Sequence, residues 1–372
     1  MKPRDRVLAA VEGREVLPVP VDIFENWFHP RLQSRLEQHF GLRASDREGL
    51  LRALGAELRW AGPSYIGPPL EEAPYQNEAT YPFTTVVRGI WGTWDGLETY
   101  TEAFPRPLAS AESVADVEAY AWPDPDWFDY SAMTWQGQKL PVAKWVRQTQ
   151  DYARIVGGWN PVFSRVMELY GFETGLTNVA LRPDLIRATV AQIGAFLEVY
   201  YQRLAASARG HADFLGFGDD FADARGVIIS PERWREIFLP LWKRLFAIAH
   251  ENDLKPLMHM CGSVRAVLGD LIDAGLAVFE VVQVTAQGMD PVELKREFGQ
   301  HLAFYGAVNT QHTLPHGSTD DVRREVRERV EVMARGGRYI MSSMHVLMDD
   351  VPVENVLAMY DEARAYQPHW SQ

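Results

Sequence analysis

From about residue 150 onward, short apolar runs alternate with longer stretches whose apolar residues recur every three or four positions. The runs "ARIVGGW" (153–159), "ADFLGFGDD" (212–220), "KPLMHMC" (255–261), "LAVFEVVQ" (276–283), "LAFYGAV" (302–308) and "RYIMSSM" (338–344) predict strands. Between them, "SPERWREIFLPLWKRLFAIAHEND" (230–253) predicts one helix. Trp234, Ile237, Phe238, Leu241, Leu245 and Ile248 recur along it at helical spacing, Ser230 stands as N-cap and Pro231 occupies the first helical position. "SVRAVLGDLIDAG" predicts a helix closed by Gly275, and "DPVELKREFGQ" one opened by Asp290. "TDDVRREVRERVEVMARGG" predicts a helix stopped by Gly336 and Gly337, and "VPVENVLAMYDEARAYQ" predicts the last.

This β-α-β-α order implies a parallel sheet with helical crossovers, which either an open doubly wound sheet or a closed (β/α)8 barrel satisfies. Three features favour the barrel. About five βα units follow residue 150, and "VLPVPVDIF" (16–24) can supply a first strand. No Gly-rich dinucleotide fingerprint follows a strand. The chemically interesting residues also fall at predicted strand ends: His259 and Cys261, Glu280 and Gln283, Asn309, and Ser342 to His345. In a barrel those ends converge on one face, where the active site lies. The expectation is therefore a TIM-type barrel spanning 1–372 as one domain.

Residues 24–150 break the pattern. They are aromatic, proline-rich and irregular, and carry "TTVVRGIWGTWDGLETYTEAF", which alternates like hairpin strands with glycine turns, and "AWPDPDWFDY", which reads as a loop. With no linker-like composition around it, this segment predicts an insertion packed on the barrel mouth.

Composition narrows the functions. Apolar residues make up 47% of the chain, enough for a large core, and eight of the twelve tryptophans precede residue 150. A net charge of −13 argues against nucleic-acid partners, which need a basic footprint. The single cysteine forms no internal disulfide and fits a reducing compartment. The N-terminus has no signal-peptide core and no window resembles a membrane span, so a cytoplasmic protein is expected.

That cysteine lies in "MHMCGS", two residues after His259. Positions i and i+2 of a strand face the same side, so an imidazole and a thiol stand together, a pair suited to zinc. The plainer alternative is a hydrogen-bonded core histidine beside a small buried hydrophobe. A third donor separates the two. His345 follows the last strand, while His312 and His316 lie further from a strand end. The acid pair Asp219 and Asp220 can bind a cation, orient a substrate or share a proton, or it can cap a helix. Glu280 is read as a carboxylate orienting His259 or as a salt-bridge partner, and Gln283 as an amide reading a polar substrate. Asn309, Trp159 and Asn160 are read as pocket-lining residues, with turn or core roles as alternatives.

"MHMCGSV", "DLIDAGLAVFEVVQ", "MDPVELKREFG", "FYGAVNTQHTLPHG" and "GGRYIMSSMHVLMDDVPVENVLAMYDEA" together resemble the uroporphyrinogen decarboxylase superfamily. "PRDRVLAAVEG", "VPVDI", "PLASAESVADVEAYAWPDPDWFD" and "GDDFADARGVIISPERWREIFLP" extend the resemblance over most of the chain. It implies a distorted (β/α)8 barrel, typically a homodimer. It also implies one of two chemistries: cofactor-free decarboxylation of uroporphyrinogen, or zinc-dependent methyl transfer involving corrinoid proteins and thiols such as coenzyme M. The H-x-C motif belongs to the second, where His and Cys are joined by a later Cys.

His259 and Cys261 match, and His345 stands roughly where that Cys is missing. The decarboxylases' N-terminal "RQAGRY"-like motif is absent; "VPVDIFENWFHP" occupies the region. The resemblance thus implies a zinc methyltransferase moving a methyl group between a small methylated substrate or thiol and a corrinoid protein. Zinc falls to His259, Cys261 and His345, catalysis to Asp219, Glu280 and Gln283, and substrate binding to Asp220, Asn309, Trp159 and Asn160. A neutral histidine in place of a thiolate leaves the metal more positive, which favours Lewis-acid activation of a methylated substrate over presentation of a thiolate. The competing expectations are a metal-free decarboxylase or lyase acting on a carboxylated substrate, and a non-catalytic ligand-binding barrel.

Overall fold

A computed structural model describes residues 1–74, 85–95 and 105–371. Seven strands pair in parallel, each with the next: β1 Leu58–Tyr65, β2 Ala153–Gly157, β3 Phe214–Gly218, β4 Lys255–His259, β5 Val278–Val282, β6 Ala303–Val308 and β7 Tyr339–Ser343. The eighth position belongs to residues 20–22. Met341 N donates to Pro20 O at 2.9 Å, Asp22 N to Met341 O at 3.0 Å, and Glu57 N to Val21 O at 2.9 Å. Val21 thus bridges β7 in parallel and reaches the start of β1, closing the ring. Two prolines, Pro18 and Pro20, flank Val19 and remove donors, so this wall element stays a single bridge.

Strand parity organises the interior. Leu58, Ile155, Phe214, Leu257, Val278, Ala303 and Ile340 form an apolar layer closed from below by Val7 and Val11 of the helix Pro3–Val11. Two residues further along each strand, the inward positions are Trp60, Gly157, Gly216, His259, Glu280, Tyr305 and Ser342. The interior therefore turns from apolar to polar toward the C-terminal ends. The second and larger core fills the space between the strands and the surrounding helices.

The helices start and stop largely where the sequence places them. Ser230 accepts from Arg233 N, and Asp290 accepts from Val292 N and Glu293 N. Gly275 follows its helix at φ +109°. The long helix expected over 230–253 is instead two, Pro231–Ile237 and Leu239–Glu251, because Pro240 has no N–H to bond and its ring crowds the carbonyl four residues back.

The segment 24–150 contains a barrel strand. β1 lies within it, concealed by Arg59, Gly62 and Pro63, which interrupt an apolar run. Arg59 is fully buried on the outer face, where Glu48 (2.8 Å) and the carbonyls of Ala56 and Leu58 take up its donors. Beyond β1 the chain departs from the barrel. The strand Phe128–Trp135 runs antiparallel to β1 and turns through Gln136 and Gly137 into Gln138–Pro141. Part of the stretch read as the loop 121–130 therefore joins this strand. Thr85–Arg88 pairs with both Glu71–Pro74 and Trp94–Asp95, as the alternation predicts, whereas 96–104 fall outside the described residues. The helix Val114–Glu118 and the strand Phe128–Trp135 pack on the helix Pro183–Ala208. Within the 24–150 segment, Phe24 and Glu25 lie beside His259 at the C-terminal end of the strands. No described helix is long and apolar enough to cross a membrane.

Candidate metal centre

His259 is the last residue of β4, inward-facing by parity with Leu257 and only 4% exposed. Cys261 lies just beyond, its Sγ 3.5 Å from His259 Nε2. The loop after β7 brings His345 to the same point, and one donor atom from each of the three lies within 4.8 Å of the others. Bond lengths of about 2.0–2.1 Å to nitrogen and about 2.3 Å to sulfur at a tetrahedral angle separate two such donors by about 3.5 Å. The donor set and its spacing fit zinc.

The protonation states also suit a cation. Burial lowers the His259 pKa to about 4, leaving a neutral imidazole with one ring nitrogen free to coordinate. His345 is open to the cleft, yet the cleft walls and then His259 push it down, opposed by Asp220. The Cys261 thiol is pushed well up, by burial first and then by the carboxyls of Asp220, Glu25 and Glu280 around it. A thiolate forms there only when a cation balances that surrounding charge.

Phe24 packs over the pair of imidazoles. Its ring stacks on His345 at 4.9 Å and meets His259 edge-on at 5.2 Å. Trp159, 42% exposed, covers His259 from another side at 5.8 Å. Gly262 adopts φ +81°, and a Cβ there would lie 2.6 Å from Asp223 O, so only glycine lets the chain turn away from Cys261.

The acidic candidates separate by role. Asp219 is buried and accepts from Phe163 N (2.9 Å) and Ser164 N (3.0 Å), which anchors the helix Phe163–Tyr170; burial raises its pKa to about 7. Asp220 keeps 28% of its side-chain exposure, accepts from Cys261 N at 2.9 Å and lies 3.9 Å from His259 Nε2. Glu280 faces the interior beside His259, its partner across β4 and β5. It is fully buried, and neither carboxylate oxygen has a hydrogen-bond partner. Gln283 accepts from Gly262 N at 2.8 Å and lines the cleft.

Other candidates lie elsewhere. Asn309 accepts from Gln311 N and His312 N, which makes it a turn residue, and it lines a different cleft with His312 and His316. Asn160 lies against the Tyr200 and Tyr201 side chains.

Sequence reasoning missed Glu25 and Phe24. Glu25 adopts φ +45° in a short helical turn after the 20–22 segment, and no periodicity announces such a residue. Glu25, His259 and Glu280 form a second donor group, with one atom from each within 4.8 Å of the others.

The chain resembles several known proteins. It is 24% identical over 208 residues to a methylcobamide:CoM methyltransferase MtaA of Methanosarcina barkeri strain Fusaro, which covers 55% of this chain and 56% of that one. A second M. barkeri protein of the same name is 26% identical over 148 residues, 40% of each chain. The chain thus spans about half the length of the curated relatives it matches. A solved methyltransferase from Methanosarcina mazei superposes with a TM-score of 0.64 over 98% of both chains at 18% identity, which shows a shared fold. The profile of the uroporphyrinogen decarboxylase (URO-D) family matches residues 142–366, a span holding His259, Cys261 and His345. With more than half of its length matched, the chain belongs to the uroporphyrinogen decarboxylase family.

Proposed function

We propose that this chain is a zinc-dependent methyltransferase that moves a methyl group between a small methylated substrate or thiol and a corrinoid protein. The observation that carries the reading is the convergence of His259, Cys261 and His345 within 4.8 Å at the catalytic end of the barrel. The methyltransferase names of the M. barkeri relatives support it. Zinc held by these three residues supplies Lewis acidity at its remaining coordination position.

The protein's own residues shape what binds there. The cleft beside Cys261 and His345 has a volume of about 460 Å³, within the range of small-molecule sites. Gln283 and Gln311 offer amides to a polar group, and Met344 and Val346 an apolar wall. Gly262 N fixes the Gln283 carbonyl, which leaves the amide N–H groups to donate. The Asp220 carboxylate is held by Cys261 N beside His259, where it attracts the positive side of a substrate. No lysine or arginine is among the described residues lining the cleft, so it offers no cationic grip for a polycarboxylate. That composition favours methyl transfer over decarboxylation.

The test is elemental analysis of protein purified without chelator, joined to a methyl-transfer assay with methylcobalamin and cob(I)alamin. About one zinc per chain is expected for tetrahedral three-residue ligation, lost in His259→Ala and Cys261→Ala together with turnover. A folded protein that holds no zinc and takes up none on titration removes the proposal.

A further inference from the structure

The carboxyls around Cys261 outnumber the charges that could balance them. Asp220, Glu25 and Glu280 all act on its thiol. Among the described residues, no lysine or arginine pairs with Asp220 or Glu25. A divalent ion held by one thiolate needs one further negative charge to be neutral, and three carboxyls stand there. A bound cation also keeps its neighbouring carboxylates ionised. Two negative charges are then left over in a partly desolvated site, where uncompensated charge is costly.

The cleft wall does not answer that surplus. Asp223 is the charged residue of the described lining, and its partner Arg225 is 86% exposed and serves Asp223 itself. Asp220 keeps 28% of its side-chain exposure, and Cys261 N engages one of its oxygens. Aromatic rings stand on the same centre: Phe24 stacks on His345, and the 42% exposed Trp159 covers His259. Rings beside carboxylates suit an alkylammonium group, which is attracted to both.

We propose that the small molecule meeting this metal carries an ammonium group beside its reacting sulfur or oxygen, and that Asp220 selects it through the carboxylate oxygen that Cys261 N does not engage. The inference rests on the zinc methyltransferase reading above and narrows its substrate class. The heteroatom goes to the metal and the ammonium group to Asp220, with Glu25 adding to the field. For a thiol, the S–H bond breaks, a metal–sulfur bond forms and the proton leaves to solvent. No atom changes oxidation state. An anionic substrate of the same shape adds to the surplus instead of cancelling it.

The experiment loads the full chain with cobalt(II), measures metal content, and titrates it with three thiols of similar shape: thiocholine, its uncharged tert-butyl analogue and mercaptoethanesulfonate. The quaternary nitrogen of thiocholine has no lone pair and cannot chelate the metal. The thiolate-to-cobalt charge-transfer band reports binding, compared at equal thiolate concentration. Thiocholine is expected to bind about tenfold or more tighter than the sulfonate, with the uncharged thiol between them. The gap is expected to narrow as salt rises. Asp220→Asn, which can still accept from Cys261 N, is expected to shrink the preference by about threefold or more. Equal or tighter binding of the sulfonate overturns the proposal. So does a folded Asp220→Asn with the wild-type ranking, and so does a loaded chain whose band no thiol changes. Should Asp220→Asn not fold, the wild-type ranking and its salt dependence decide. A chain that takes up no metal removes the zinc reading and this proposal with it, whereas a loaded chain that prefers the sulfonate sinks only the charge selection.

Discussion

The two ends of the barrel treat buried acids in opposite ways. At the bottom, Asp213 and Glu57 immediately precede β3 and β1, and both are nearly inaccessible. Each meets an arginine from the plugging helix: Arg4 reaches Asp213 at 2.8 Å and Arg6 reaches Glu57 at 2.9 Å. At the top, Glu280 and Asp219 are as deeply buried, yet neither has a cationic side chain against it. The bottom acids tie the plug to the wall, a structural task complete within the chain. Asp219 is satisfied by two backbone N–H groups, whereas Glu280 lies beside His259 with neither oxygen hydrogen-bonded. Paired burial marks the end that holds the barrel together, and the unpartnered Glu280 lies at the end where the metal is proposed.

The sharpest way to break this contrast is to remove a donor at the top. His259→Ala or Cys261→Ala is expected to lower zinc affinity by about a hundredfold or more, since loss of a residue that only hydrogen-bonds a ligand already costs about 10–100-fold. The metal-free melting temperature should change little, as read by elemental analysis and circular dichroism. Removing a partner at the bottom should do the reverse. Arg6→Ala leaves Glu57 buried and alone, which costs about 3 kcal/mol at pH 8 by urea unfolding, with zinc content untouched. At pH 5 the cost falls to about 1 kcal/mol, because a protonated Glu57 loses only a hydrogen bond. Equal costs at the two pH values would show that charge is not what the pair manages.

A milder effect appears in the wild type. Burial raises Asp22 from 3.8 and Glu57 from 4.5 to about 7. For Glu57 burial outweighs the lowering by Arg6, so the net shift is upward. Between the unfolded and folded values the native state binds more protons than the unfolded state. Their contribution to stability is therefore highest at the acidic side of that window and declines as pH rises toward about 7. Urea midpoints of metal-free protein at pH 5 and pH 8 check the sign, and a higher midpoint at pH 8 contradicts it. The smallest effect belongs to Asn309→Ala. Loss of its bonds to Gln311 N and His312 N costs about 1 kcal/mol, as for a lost cap, and metal affinity stays at the wild-type value. A change in metal binding there would blur the distinction between a mouth residue and a donor.

Much of this was legible because strands and helices announce themselves through periodicity. "KPLMHMC" placed His259 and Cys261 at a strand end, and "RYIMSSM" placed His345 just after another. Parity with Val278 carries Glu280 inward, which makes its burial readable. What stayed hidden lacks a period. β1 contains Arg59, Gly62 and Pro63, so its wall role depends on partners distant in sequence, notably Glu48 around the buried guanidinium. Glu25 arrives through a left-handed turn, and Asn309 serves a loop although it follows a strand. Trp159 reaches His259, whereas its neighbour Asn160 turns to Tyr200 and Tyr201, a choice that composition does not encode.

The seam at residues 20–22 gives the barrel a preferred place to breathe. Longer ladders join β1 through β7, while Val21 makes a lone bridge to β7 and residues 20–22 meet their neighbours through three bonds between backbone groups, with Asp22 also accepting from Leu58 N, Tyr305 OH and Tyr360 OH. Local opening follows the fewest bonds, so the amide protons of Asp22, Glu57 and Met341 exchange with solvent ahead of those inside the continuous ladders. Phe24 and Glu25 follow the seam directly, and they ride with it. An opening of the seam is expected to carry Phe24 away from the rings of His259 and His345, and Glu25 away from the thiol. On that expectation, a ligand that grips both imidazoles slows exchange of the Asp22, Glu57 and Met341 amide protons.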